Sequence, residues 1–215
     1  MLNPAAPRSE TSEVLRLFPT FVWKAQLSPE IYRPINAAIL GELGALLPSP
    51  REPAPGTLWQ SRHGLHRLDA FAGLVSAIDA AVREVLAFLK IGYDAYDITG
   101  CWINVGAPGG WHRMHSHPNN LLSGAYYVQV QEGADAINFH DPRPQTSVIR
   151  PPATELTAYN TDQVVVRVGV GTLLLFPAWL PHSVDSNASA TNRISVSFNV
   201  MPRAAELSAP LWGEE

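Results

Sequence analysis

Cysteine is nearly absent from the 215-residue chain, Cys101 being the single one. An internal disulfide framework is therefore excluded, and a lone thiol suits the reducing cytoplasm, which is the expected compartment. Long apolar runs are missing as well. No stretch of about 18 residues is free of charged or polar breaks, so no transmembrane helix is expected. Met1–Ser12 lacks the basic-then-apolar pattern of a signal peptide, and no secretory leader is expected there. Charge is sparse: Asp, Glu, Lys and Arg make up 16% of residues, the net charge is −4, and the basic side chains do not cluster. Such a distribution carries no nucleic-acid footprint.

What the chain has in quantity is apolar surface and chain-reversing residues. Hydrophobic residues are 46%, enough for a substantial core, and 19 prolines with 15 glycines point to many turns. The length fits one domain, 1–215, in which residues 1–95 form mostly a helical layer with an extended N-terminal segment and 96–203 form a β-barrel. Met1–Glu10 reads as a loose tail and Val14–Leu27 as extended. Ser28-Pro29 opens a helix carrying Ile31, Ile35, Ile39, Leu43 and Leu46, with Pro34 expected to delay its start. Pro48–Gly56, with four prolines, is a loop. Leu68, Phe71, Val75, Ile78, Val82, Leu86 and Leu89 mark a second helix from Arg67 to Lys90, with Asp69 near its start and Lys90 near its end.

From Tyr96 the period changes to two. Strands are expected at Asp97–Val105, His115–His117, Ser123–Val130, Ala136–Phe139, Gln163–Val168, Thr172–Phe176, His182–Val184 and Arg193–Val200. About seven or eight short antiparallel strands in such a span suggest a jelly roll or double-stranded β-helix, a cupin-like barrel with the N-terminal helices packed outside. The expected fold class is α+β.

Five of the seven histidines lie in this half: His112, His115, His117, His140 and His182. On a strand, His115 and His117 share a face, so both imidazoles can approach one ion. His182 is the best third ligand, presented by the rigid Pro-Ala-Trp-Leu-Pro turn after an apolar strand. Imidazole suits iron, copper, zinc or nickel alike. His112 has the opposite parity and needs an irregular backbone to join the others. With His140 it reads as a surface or hydrogen-bonding residue.

Arg193, Ser195 and Ser197 share one strand face, opposite Ile194, Val196 and Phe198. A guanidinium inside a barrel needs an anion, either a guest carboxylate, gripped bidentately with Ser195 assisting, or a protein carboxylate such as Asp185. Ser123, Tyr127 and Gln129 form another polar face, from which Tyr127 can reach the same guest. Asn104, alternating with Trp102, also faces the cavity and is a further candidate to bind the guest. Asp135 and Asp141 are near enough in sequence to accept from a ligand N–H.

The series Trp102-Ile103-Asn104-Val105, His115-Ser116-His117-Pro118, Ser123-Gly124-Ala125-Tyr126-Tyr127-Val128, Phe176-Pro177-Ala178-Trp179-Leu180-Pro181-His182 and Arg193-Ile194-Ser195-Val196-Ser197-Phe198-Asn199 resembles the iron(II)- and 2-oxoglutarate-dependent oxygenases. It is most similar to a bacterial and phage branch with an H-x-H-P motif. Leu17-Phe18-Pro19-Thr20 and Trp59-Gln60-Ser61 extend the resemblance over most of the chain. It implies a double-stranded β-helix binding Fe(II) through His115, His117 and His182, with 2-oxoglutarate as cosubstrate. It implies that Arg193 pairs with the distal carboxylate of the cosubstrate, that Ser195 completes an Arg-x-Ser pattern and that Tyr127 contacts the cosubstrate. His117 departs from the wider superfamily, which has a carboxylate there, and leaves a ferrous site one unit more positive.

The function so implied is oxidative decarboxylation of 2-oxoglutarate coupled to oxidation, as a rule hydroxylation, of a small-molecule or peptide substrate. Two other classes share the ligands: a three-histidine cupin-type dioxygenase that does not use 2-oxoglutarate, and a non-catalytic metal-binding barrel. Trp111, Trp179 and the loop Gln145–Thr161 are candidates for the substrate entrance.

Overall fold

The computed structural model describes residues 12–47, 53–143, 148–149 and 152–203. The tail Met1–Glu10 lies outside them, as do parts of the loops Pro48–Gly56 and Gln145–Thr161. In chain order the elements are β1 (Trp23–Gln26), α1 (Pro29–Leu46), β2 (Leu58–Gln60), two 3-10 turns (Leu65–Arg67 and Asp69–Phe71) and α2 (Ala72–Phe88). The β-rich half follows: β3 (Ala95–Gly106), β4 (His112–His115), β5 (Leu122–Gln129), β6 (Ala136–His140), β7 (Gln163–Arg167), β8 (Thr172–Pro177), β9 (His182–Val184) and β10 (Arg193–Arg203).

Helix α1 begins at Pro29, its first turn closed by Tyr32 N–H donating to Ser28 O at 2.9 Å. Pro34 does not delay the start as expected; the helix absorbs it as an interior residue. Ile35, Ile39 and Leu43 recur every four residues and are buried. Between them Asn36 accepts from the Tyr126 hydroxyl at 2.6 Å and donates to Val128 O at 3.0 Å, tying α1 to the back of β5. The second helix starts later than its periodicity suggests, because the 3-10 turns occupy Leu65–Phe71 and place Asp69 outside α2. It closes with Lys90 in the left-handed region (φ 57°), Ile91 N–H reaching Leu86 O and Lys90 N–H reaching Ala87 O. Lys90 therefore belongs to the chain reversal beyond the helix.

Two antiparallel sheets make the double-stranded β-helix. The larger runs β1-β8-β5-β10-β3-β2, the smaller β4-β9-β6-β7. Alternation along the shared strands divides the core. Tyr126, Val128, Leu173, Leu175, Ile194, Val196 and Phe198 face α1 and α2, joining Ile78, Val82 and Leu86. Ala125, Tyr127, Leu174 and Phe176 face the other way and pack on Ile137 and Phe139 of the smaller sheet. Arg193, Ser195 and Ser197 must then point between the sheets, because the helical layer takes the apolar side of β10. No helix among the described residues is long and apolar enough to cross a membrane.

Candidate metal centre

β4 and β9 are paired so that His115 stands directly opposite His182. Their rings are 4.3 Å apart. His117 does not share a strand with His115 as expected, since β4 ends at His115. Pro118 follows His117 and cannot donate to a ladder, and Asn119 takes a left-handed turn conformation (φ 62°). The loop is pinned because His117 N–H donates to Ala178 O at 2.8 Å. This returns the His117 ring to within 5.0 Å of His115 and 5.2 Å of His182, where it stacks on the latter. One ring nitrogen from each of the three lies within 4.8 Å of the others, an arrangement that can hold a metal ion.

Two of the rings are oriented by backbone. His115 Nδ1 is 2.8 Å from Arg113 O and His182 Nδ1 is 3.0 Å from Leu180 O. A carbonyl can only accept, so each Nδ1 carries the proton and each Nε2 lone pair is free for a ligand. Asp135 and Asp141, expected as acceptors for these N–H groups, pair instead with Arg167 and Arg143, each at 2.7 Å. Burial lowers the pKa of His182 to about 3, with the nearby imidazoles adding to the effect and its Leu180 contact opposing it. Burial and then His115 lower that of His117 to about 4. Both are neutral at pH 7, the form that binds metal.

Arg193, Ser195, Tyr127 and Asn104 line the same cavity as the three histidines. Arg193 Nη1 donates to Ala136 O at 3.2 Å, and its guanidinium carbon lies 5.5 Å from the centre of the Tyr127 ring. Burial holds its pKa below the usual arginine range. Of the two partners open to it, the protein carboxylate is not used among the described residues: Asp185 borders the cavity without pairing with Arg193, and the ion pairs formed are those of Asp79, Asp97, Asp135 and Asp141. Tyr127 is fully buried with a hydroxyl that has no hydrogen-bond partner.

Asn104 lines the wall with its polar atoms already engaged. Its oxygen accepts from Gln60 at 2.7 Å and Trp102 Nε1 at 3.2 Å, and its amide donates to Ser197 at 2.9 Å. Trp102, so held, stacks on His63 at 4.4 Å and lies 5.9 Å from His117. Ser123 and Gln129 are likewise spent, on Asn199 and Asn192 O. Trp111 borders the cavity, whereas Trp179 does not. His140 hydrogen-bonds Ser183 at 2.9 Å, and His112 faces the cavity beside His115.

Fold and site together define a class, a two-sheet double-stranded β-helix whose cavity gathers three convergent histidines and an arginine. Residues 100–199 match the family described as "Putative 2OG-Fe(II) oxygenase". Through this segment the chain is similar to the iron(II)/2-oxoglutarate-dependent oxygenases that its motifs resemble. Among solved structures, a prolyl-4-hydroxylase from Pseudomonas putida is similar over 86% of this chain and 94% of its own, with TM-score 0.57 and 15% identity. HygX from Streptomyces hygroscopicus, with nickel and 2-oxoglutarate bound, matches 85% of this chain and 83% of its own at TM-score 0.57 and 14% identity. A prolyl hydroxylase from Trichoplax adhaerens, in complex with a hypoxia inducible factor peptide fragment, matches 84% and 83% at TM-score 0.56 and 13% identity. At such identities these likenesses establish the fold. No curated protein matches the sequence.

Proposed function

We propose that His115, His117 and His182 hold Fe(II), that Arg193, Ser195 and Tyr127 hold 2-oxoglutarate beside it, and that the protein oxidises a small-molecule or peptide substrate. The observation that carries this reading is Arg193. A guanidinium inside a cavity, without a carboxylate partner, faces the void shared with three convergent imidazoles. Desolvating such a group is costly unless an anion compensates it. The buried, unpartnered Tyr127 hydroxyl is a second group that a polar guest would satisfy. Three imidazoles suit iron among other divalent ions, and the neighbour with nickel and 2-oxoglutarate bound supports the same pairing.

The chemistry supplied by bound Fe(II) and 2-oxoglutarate is oxidation of a substrate by dioxygen, with loss of carbon dioxide and release of succinate. The chain's own residues set the conditions for it. His115 and His182 offer Nε2 because the Arg113 and Leu180 carbonyls hold their Nδ1 protons. Arg193 grips a carboxylate in the cavity, and Ser195, buried on the same strand face, adds a hydroxyl. Asn104 serves as a wall residue that fixes Trp102 against the His117 side. The neighbour seated on a peptide supports a peptide as one substrate class. The helices and barrel would work as one domain, and the single, buried Cys101 supports a cytoplasmic setting.

Fe(II) and then 2-oxoglutarate are added without oxygen to metal-free protein, with Arg193→Ala alongside, and the visible spectrum is recorded. A broad charge-transfer band in the wild type, recovered in the variant only at much higher 2-oxoglutarate, is the expected result. Tight iron binding with no band would favour the three-histidine dioxygenase that does without 2-oxoglutarate. No iron binding at all would sink both enzyme readings.

A further inference from the structure

Four histidines, not three, face the cavity. His112 precedes His115 by three positions, so on a regular strand the two side chains would lie on opposite faces of the sheet. The pairing of β4 with β9 slips between His112 and His115. The slip turns His112 inward, where its ring stacks on His115 at 4.2 Å and 29°. Irregular pairing of this kind is a common way to re-aim a side chain next to a site.

His112 does not belong to the trio whose ring atoms converge. It lines the cavity with Arg193, Ser195 and Tyr127. Arg193 is near enough for its charge to act on the imidazole. Neither ring nitrogen of His112 has a hydrogen-bond partner among the described residues, in contrast to the Nδ1 atoms of His115 and His182. The ring thus touches His115 and lines the cavity that it shares with Arg193.

Resting on the assignment of 2-oxoglutarate to this cavity, we infer that His112 is a further cosubstrate-binding residue, its free ring N–H donating to a carboxylate oxygen of 2-oxoglutarate. The role separates into two parts. Stacking on His115 needs only a flat ring, while holding the cosubstrate needs the N–H. His112→Phe keeps the first and removes the second; His112→Gln keeps a donor and gives up the ring.

The test is calorimetric titration of 2-oxoglutarate into the Fe(II)-loaded protein without oxygen, with Fe(II) binding itself measured in each variant. The expected result is unchanged metal affinity in His112→Phe with 2-oxoglutarate binding weakened about tenfold or more, the cost of one lost hydrogen bond to an anion. His112→Gln should lose less. Unaltered 2-oxoglutarate affinity in His112→Phe overturns the inference and leaves His112 a packing residue. Loss of iron from His112→Phe overturns it too, making the ring a support for His115. If the wild type binds iron but no 2-oxoglutarate, the assignment of the cavity fails first, and the inference falls with it.

Discussion

His115 and His182 face each other across two antiparallel strands of the smaller sheet, with ring centres 4.3 Å apart and each Nδ1 bound to a backbone carbonyl two residues earlier in the chain. The proposed metal centre is thus built on a cross-strand pair, the unit of sheet stabilisation. His117 joins it from a loop, and among the described residues no carbonyl fixes its ring.

That difference predicts a hierarchy among the three. His115→Ala and His182→Ala should abolish the rise in melting temperature that Ni(II) or anaerobic Fe(II) gives the wild type. His117→Ala should keep part of it. At a metal concentration about 100 times Kd the wild-type gain is about 2.7 kcal/mol. Equal loss in all three variants would count against a special standing for the strand pair.

Tyr127→Phe separates stability from binding. The hydroxyl is buried without a partner, so its removal should leave the ligand-free protein as stable as before or slightly more so. The same change should weaken 2-oxoglutarate binding about tenfold or more, the cost of one hydrogen bond to a charged ligand. Urea unfolding and the anaerobic titration measure the two halves. Clear destabilisation with unchanged binding would place the hydroxyl in the packing of the barrel.

The histidines also set an acid limit on the metal-free protein. The unfolded chain protonates its imidazoles near the ordinary value of about 6.5. The folded chain does so only at about 3 for His182, through burial, and at about 4 for His117, through burial and the neighbouring His115. Between these values the unfolded state binds more protons, so stability falls as pH drops below about 6.5 and stops falling only under the folded values. The urea midpoint should be lower at pH 5 than at pH 7, and His182→Gln should flatten the difference. Identical midpoints in the wild type would contradict the burial of these rings.

Gly124 leaves the room that the buried Phe198 ring occupies. A Cβ added there would lie 2.2 Å from Phe198 Cζ and 2.6 Å from Leu174 O, one a core ring and the other a fixed backbone atom. Gly124→Ala should cost about 1–3 kcal/mol, as overpacking does, read as a drop in melting temperature. Wild-type stability would mean that β5 can shift away from β8 and β10.

The alternation in β10 is enough to group Arg193, Ser195 and Ser197 on one face, because a strand has a period of two whatever surrounds it. The same reasoning groups the helix positions Ile35, Ile39 and Leu43. The motif series from Trp102 to Asn199 carries the superfamily, which the match over residues 100–199 bears out. Local pattern reaches no further, since it says nothing about which strands become neighbours. Pairing of β4 with β9 sets His182 against His115, and the loop after β4 brings in His117 by a hydrogen bond to Ala178 rather than by strand parity.

The acceptors behind the ligands turned out to be the Arg113 and Leu180 carbonyls, and every residue has a carbonyl, so no side-chain pattern marks them. Asp135 and Asp141 carry the expected chemistry but pair with Arg167 and Arg143. His112 has the wrong parity for the cavity until a slip in the β4–β9 pairing turns it inward. Residue types and their periods determined which chemistry this chain could assemble. Non-local pairing, set by the packing of the whole molecule, decided which groups meet and which are left free to bind.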